Sequence, residues 1–121
     1  MIVALWVGMA LIGGAGSVLR FVVDGVIASR TGRAYPYGTL AVNLSGALLL
    51  GLVSGLALSH DRALLAGSAA VGSYTTFSTW MFETHRLGEN REVVNLMANI
   101  VVSLVAGIAA AALGRLLGSH L

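Results

Sequence analysis

The chain has 121 residues, 57% of them apolar and only 10% charged, against roughly 25% charged in soluble domains, and its mean hydropathy is +0.89. This is the composition of a membrane protein in contact with lipid. The formal charge of +2, with arginine as the only cation, gives a pI near 9.7 through scarcity of charge, not through a basic patch, and so argues against a nucleic-acid partner; the lack of cysteine excludes disulfides, zinc-thiolate sites and thiol catalysis.

A spanning helix needs about 20 mainly apolar residues. Four stretches qualify, residues 2–28, 37–58, 63–84 and 93–117, so the chain 1–121 reads as a single all-α domain of four transmembrane helices. The connections "SRTGRAYPY", "SHDRA" and "HRLGENREV" are short, which makes consecutive helices antiparallel neighbours and puts both termini on one side. The first span has no basic segment ahead of its apolar run and no cleavage-type boundary after it, so it reads as retained. Its patch "GGAGS" (Gly13 to Ser17) suits close helix contact. Arg20 lies about 27 Å along the helix at about 1.5 Å per residue, near the hydrocarbon edge, with Asp24 one turn later and placed to pair with it. It is either an anchor that snorkels to the interface or a vestibule charge.

Pro36 opens the second span, where a missing N–H costs little. Thr39, Asn43 and Gly46 share one helix face, and "GLVSG" (Gly51 to Gly55) has the spacing of small-residue membrane contacts. Asp61 and Arg62 read as solvated loop residues. The third span holds "GSYTTFSTW" (72–80), a run of hydroxyls and glycine with low helix propensity. A helix break is tolerated there if its backbone groups are satisfied internally. Such a break exposes carbonyls, which suit hard cations, and a helix N-terminus with hydroxyls, which suits anions. Phe77 and Trp80, three apart, share a face whose ring edges carry partial positive charge. Glu83, near the end of this span, has the same two readings as Arg20.

In the fourth span Asn95, Asn99, Ser103, Gly107 and Ala111 recur every four residues along one face. The amides and hydroxyls of the second and fourth spans are either helix–helix glue, worth about 0.6 kcal/mol each, or a donor set available to an anion. For orientation, Arg30, Arg33, Arg86 and Arg91 in the first and third connections stand against Arg62 and Arg115 on the opposite side. So weak a bias favours one orientation only slightly and leaves both insertions open.

The motifs "GGAGSVLRF", "YGTLAVNLSG", "GSYTTFSTW" and "NLMANIVVS", one per span and in this order, cover nearly the whole chain. Together they resemble the small bacterial fluoride channels, often called Fluc or CrcB. The resemblance implies a passive channel that exports cytoplasmic fluoride across the bacterial plasma membrane. It also implies an antiparallel, dual-topology homodimer of four-helix subunits with two fluoride pathways. A structural sodium ion would sit at the dimer interface, held by backbone carbonyls of Gly72 and Thr75 from both subunits. Asn43, Phe77, Trp80 and Ser103 would line the fluoride pathway, with Asn99 supporting it and Thr39 on the same polar face as Asn43. Arg20 would be an inner-facing arginine of the family pattern. The chain departs from that pattern at Trp80, where relatives usually have Phe, and at Gly107, where they have Thr or Ser.

Other classes fit the residues less well. A small multidrug-type exporter, also of four helices, needs a membrane-embedded carboxylate for proton exchange. The first span has none before Asp24, and Glu83 is the other candidate. A non-transporting scaffold would use its polar residues as glue alone. An enzyme is the reading the residues support least, since no nucleophile, base and metal-ligand set converges.

Overall fold

The computed structural model describes residues 2–32 and 34–121; Arg33, one of the arginines of the first connection, lies outside the described residues. Among the described residues all regular structure is helical, in the order α1 (Ile2–Thr31), α2 (Tyr37–Leu56), α3 (His60–Ala63), a π-helical stretch (Leu64–Val71), α4 (Gly72–Tyr74), α5 (Ser78–Glu89) and α6 (Val93–Ser119). Of these, α1, α2 and α6 are long and apolar enough to cross a membrane. The third expected span is not one continuous helix. Its path is interrupted between Tyr74 and Ser78, with Thr75 in an extended conformation (ψ 160°).

Helix ends differ from the expected span ends for physical reasons. Apolarity marks where a chain leaves lipid, whereas a helix continues into water if its last turn is favourable. α1 runs past residue 28 to Thr31, with Arg30 in its last turn, where the helix dipole favours a cation. α2 stops at Leu56 because Ala57 takes a left-handed conformation (φ 53°) that ends the ladder. Asp61 and Arg62 are not loop residues. Ser59 Oγ accepts the Arg62 N–H at 3.4 Å and caps α3, and Asp61 occupies the first turn, where the dipole favours a carboxylate. The helical path therefore begins before residue 63, and it continues after the interruption to Glu89.

Close backbone approach sets the packing. α2 and α6 make the most extensive contact in the chain. A Cβ added to Gly51 would overlap the Ala111 carbonyl oxygen and stand 2.9 Å from Arg115 N; one added to Gly114 would overlap the Leu48 carbonyl oxygen and stand 2.9 Å from Leu52 N. Gly55 and Gly118 repeat this one turn further on. "GLVSG" thus crosses a second motif of the same spacing, "GRLLG" (Gly114 to Gly118), and the backbones meet without intervening side chains. The "GGAGS" patch is a contact too, since a Cβ on Gly16 would stand 2.8 Å from the Ala70 carbonyl oxygen. It seats α1 against the π-helical stretch and α4.

The outside of the chain is apolar. Along α1 only Gly16 and Ala28 are buried, and Trp6, Leu11 and Phe21 are exposed. In water such a face would be costly; against hydrocarbon it is not. The first connection is pinned by Tyr35 and Tyr37, whose rings lie 4.8 Å apart at 47°.

Candidate functional site

The interruption is held open by specific hydrogen bonds. Asn43 on α2 accepts the Thr76 N–H through Oδ1 and donates from Nδ2 to the Thr76 carbonyl, both at 2.9 Å. Because the backbone N–H only donates and the carbonyl only accepts, these two bonds fix the orientation of the amide. In a continuous helix the Thr76 N–H would close onto the Gly72 carbonyl. The Thr79 N–H, which would close onto Thr75, instead donates to Thr76 Oγ1 at 3.2 Å. Both the Gly72 and the Thr75 carbonyls are thereby released from the helical ladder. The Thr75 hydroxyl donates its proton to the Val71 carbonyl at 3.1 Å and so offers no donor to the cavity.

Two cavities meet at Thr76. One, of about 330 Å³, is lined by Asn43, Gly72, Thr75, Thr76, Phe77 and Trp80 among others. Phe77 and Trp80 stand edge to face there, centroids 5.7 Å apart at 73°, and Phe77 is 70% exposed. The other, of about 130 Å³, is lined by Arg20, Asp24, Thr39, Thr76 and Thr79. The Thr39 hydroxyl donates to the Glu83 carboxylate, which ties α2 to α5 beside this cavity. Arg20 is partly buried against it. The expected Arg20–Asp24 ion pair does not form among the described residues: Asp24 instead packs on Gly38, where a Cβ would stand 2.8 Å from the Asp24 carbonyl oxygen.

On α6, Asn99 is buried (1% exposed). Its backbone carbonyl accepts the Trp80 indole N–H at 3.3 Å and its Nδ2 donates to Thr84 Oγ1 at 2.9 Å. Among the described residues, Asn99 Oδ1 and Ser103 Oγ, one turn apart, are buried without a hydrogen-bond partner. Groups of that kind cost about 1–3 kcal/mol each when nothing pairs with them. Beside Gly107 a Cβ would meet nothing within 4 Å.

The structure therefore brings Asn43, Gly72, Thr75, Phe77 and Trp80 to one cavity. Asn99 is joined to that group through Trp80, Ser103 lies one turn further along α6, and Arg20, Thr39 and Glu83 lie on the other side of Thr76. Thr76 itself is missing from the sequence-derived set. Its signal is a hydroxyl three residues ahead of Thr79, the spacing by which a Ser or Thr side chain satisfies a first-turn N–H. Chemically the larger cavity offers an amide N–H and ring edges together with Gly72 and Thr75, whose carbonyls have left the ladder, and the smaller one offers hydroxyls and the Arg20 guanidinium beside the Asp24 carboxylate.

These features define a class: a multi-pass, all-helical membrane protein whose polar groups gather at an interrupted helix. The chain belongs to the CrcB-like family; the family model described as CrcB-like protein, Camphor Resistance (CrcB), matches residues 7–115. It is 67% identical over 113 residues, 93% of each chain, to the protein named fluoride-specific ion channel FluC 2 of Mycolicibacterium paratuberculosis. It is 64% identical over 113 residues, 93% of this chain and 90% of the relative, to that of Mycobacterium tuberculosis strain H37Rv. A protein of Rubrobacter xylanophilus named fluoride-specific ion channel FluC 1 is 47% identical over 108 residues, 88% of this chain and 86% of the relative.

Proposed function

We propose that this chain is a passive, fluoride-selective channel and not an enzyme. It exports cytoplasmic fluoride as an antiparallel dimer of four-span subunits in the bacterial plasma membrane. The carrying observation is identity of 64–67% over nearly the full length to proteins named fluoride-specific ion channels, and the donor-rich cavities at the interruption support it. Residues 60–89, in two helical halves, form the remaining span, with the interruption at membrane depth. Irregular backbone at that depth is tolerated where it lines a cavity.

Fluoride is small and strongly hydrated, so a pore must replace its water with close donors at several moderate sites. The second N–H of the Asn43 amide, the one not spent on Thr76, the Ser103 hydroxyl and the edges of Phe77 and Trp80 supply such donors, and a narrow path excludes chloride. Asn99 supports this track from α6. Thr39, Arg20 and Glu83 form the polar mouth on the other side of Thr76, where the guanidinium attracts an anion. In liposomes loaded with fluoride, with charge balanced by a potassium ionophore, the protein is expected to release fluoride without any proton gradient while barely passing chloride. Equal rates for the two ions, or no release, would refute the channel.

A structural sodium ion fits the residues present. The Gly72 and Thr75 carbonyls are neutral oxygen donors without helical partners, and unwound carbonyls of this kind coordinate sodium in discontinuous membrane helices. Two copies of the chain would offer four such oxygens at the dimer interface. When bound, the ion supplies a fixed positive charge that ties the two interruptions together. Replacing sodium by N-methylglucamine on both sides of the liposome is expected to abolish fluoride release. Undiminished release would show that these carbonyls need no cation.

A further inference from the structure

Three hydrogen bonds close a circuit between α5 and α6. The Trp80 indole N–H donates to the Asn99 carbonyl at 3.3 Å, Asn99 Nδ2 donates to Thr84 Oγ1 at 2.9 Å, and Thr84 Oγ1 donates to the Trp80 carbonyl at 2.8 Å. The last of these is an ordinary back-bond of a helical threonine. What sets it apart is that the same hydroxyl also accepts from a buried amide on the neighbouring helix. Among the described residues Thr84 is the only hydrogen-bond partner of the Asn99 side chain, whose other polar atom, Oδ1, has none. Without the hydroxyl this side-chain tie between α5 and α6 is lost. Trp80 in turn holds the edge-to-face contact with Phe77, 5.7 Å between centroids.

We infer that Thr84, whose hydroxyl ties α5 to the Asn99 side chain of α6, is a positioning residue that holds α5 where the Trp80 N–H meets the Asn99 backbone carbonyl and so fixes the Phe77–Trp80 ring pair, and that the Trp80 N–H is committed to α6 and not to the passing anion. The inference rests on the channel reading and deepens it: at Trp80, fluoride meets a ring edge and not an indole donor. A hydrogen-bond donor that neither turns nor binds the ion leaves the site moderate, as conduction needs.

The test uses the full chain carrying Trp6→Phe, which leaves Trp80 as the sole tryptophan. By NMR of the ¹⁵N-labelled protein in micelles, the single indole N–H resonance is expected to exchange slowly with solvent and to keep its position through a fluoride titration. A large fluoride-dependent shift of that resonance would place the N–H on the anion and overturn the inference. In liposomes, Thr84→Val is expected to lower fluoride release about tenfold, the scale of one lost hydrogen bond. Thr84→Ser should restore it, and Thr84→Val made in the Trp80→Phe background should change release less than about twofold, since the circuit is already open there. Equal losses in both backgrounds, or no loss with Trp80 present, would overturn the positioning role even if Thr84→Ser behaves as expected. Should Thr84→Val not assemble, the resonance test stands alone. A parent protein that releases no fluoride at all would instead refute the channel reading.

Discussion

Asn43→Asp is expected to reduce fluoride release at least about a hundredfold, the equivalent of about 2.7 kcal/mol, while leaving the protein in the membrane. Two effects add. The carboxylate still accepts the Thr76 N–H but has no N–H for the Thr76 carbonyl, and the two bonds that Asn43 makes there, both 2.9 Å, become one bond and one repulsive contact between oxygens. Leaving a buried acceptor unpaired costs about 1–3 kcal/mol. On the proposed pathway the substitution also puts a negative charge on the wall of the cavity that the anion crosses. Asn43→Ala separates the two, because it loses both hydrogen bonds without adding charge; it should release fluoride at a rate between parent and Asp variant. Parent-level release from a folded Asn43→Asp protein would remove Asn43 from both the clamp and the pathway.

The second large effect lies away from the cavities. Gly114→Leu is expected to prevent recovery of a monodisperse protein. The added Cβ meets backbone atoms of α2, the Leu48 carbonyl and Leu52 N at 2.9 Å, and backbone cannot turn aside as a side chain can. Overpacking of a core costs about 1–3 kcal/mol, and separating α2 from α6 disturbs the largest helix contact in the chain. Gly14→Ala is the matched control, since a Cβ there meets nothing within 4 Å of its own chain. Alanine is a better helix former than glycine by about 0.8–1.0 kcal/mol, so this variant should elute as the parent does. Size-exclusion profiles in detergent decide the matter, and a normal profile for Gly114→Leu would contradict the crossing of the two glycine motifs.

What the sequence made legible follows from which interactions are local. The apolar runs of α1, α2 and α6 and the weak helix propensity of "GSYTTFSTW" are properties of neighbouring residues, and both lead to the right place. The four-residue spacing of Asn99 and Ser103 is local too, and each of the two residues has one buried polar atom, Oδ1 and Oγ, without a partner among the described residues. Bonds between distant segments were not legible. That Asn43 spends both amide functions on Thr76, 33 positions away, or that Asp24 turns to Gly38 and not to Arg20, depends on how α1, α2 and the interrupted helix pack. Thr84 and "GRLLG" escaped notice for the same reason, since a threonine and two glycines in helices are unremarkable until their partners are known. The Ser59 cap of α3 is the opposite case: its signal is local, but it lies beyond the last apolar residue, where hydropathy stops looking.

Trp80, where the resemblance leads one to expect Phe, also has a physical reading. An indole in place of a phenyl ring adds a donor, and the chain disposes of that donor on the Asn99 carbonyl at 3.3 Å. At Gly107, where the resemblance leads one to expect a hydroxyl, the side of α6 is open within one chain.

Fluoride movement through this chain is proposed to be passive and selective. The most direct measurement is the reversal potential in a planar bilayer with fluoride on one side and chloride on the other. The expected reversal potential lies far toward the fluoride equilibrium potential and is unchanged when a pH gradient is imposed. A reversal near zero would show that chloride permeates equally, and one that shifts with the pH gradient would show coupling to protons; either result contradicts a fluoride channel.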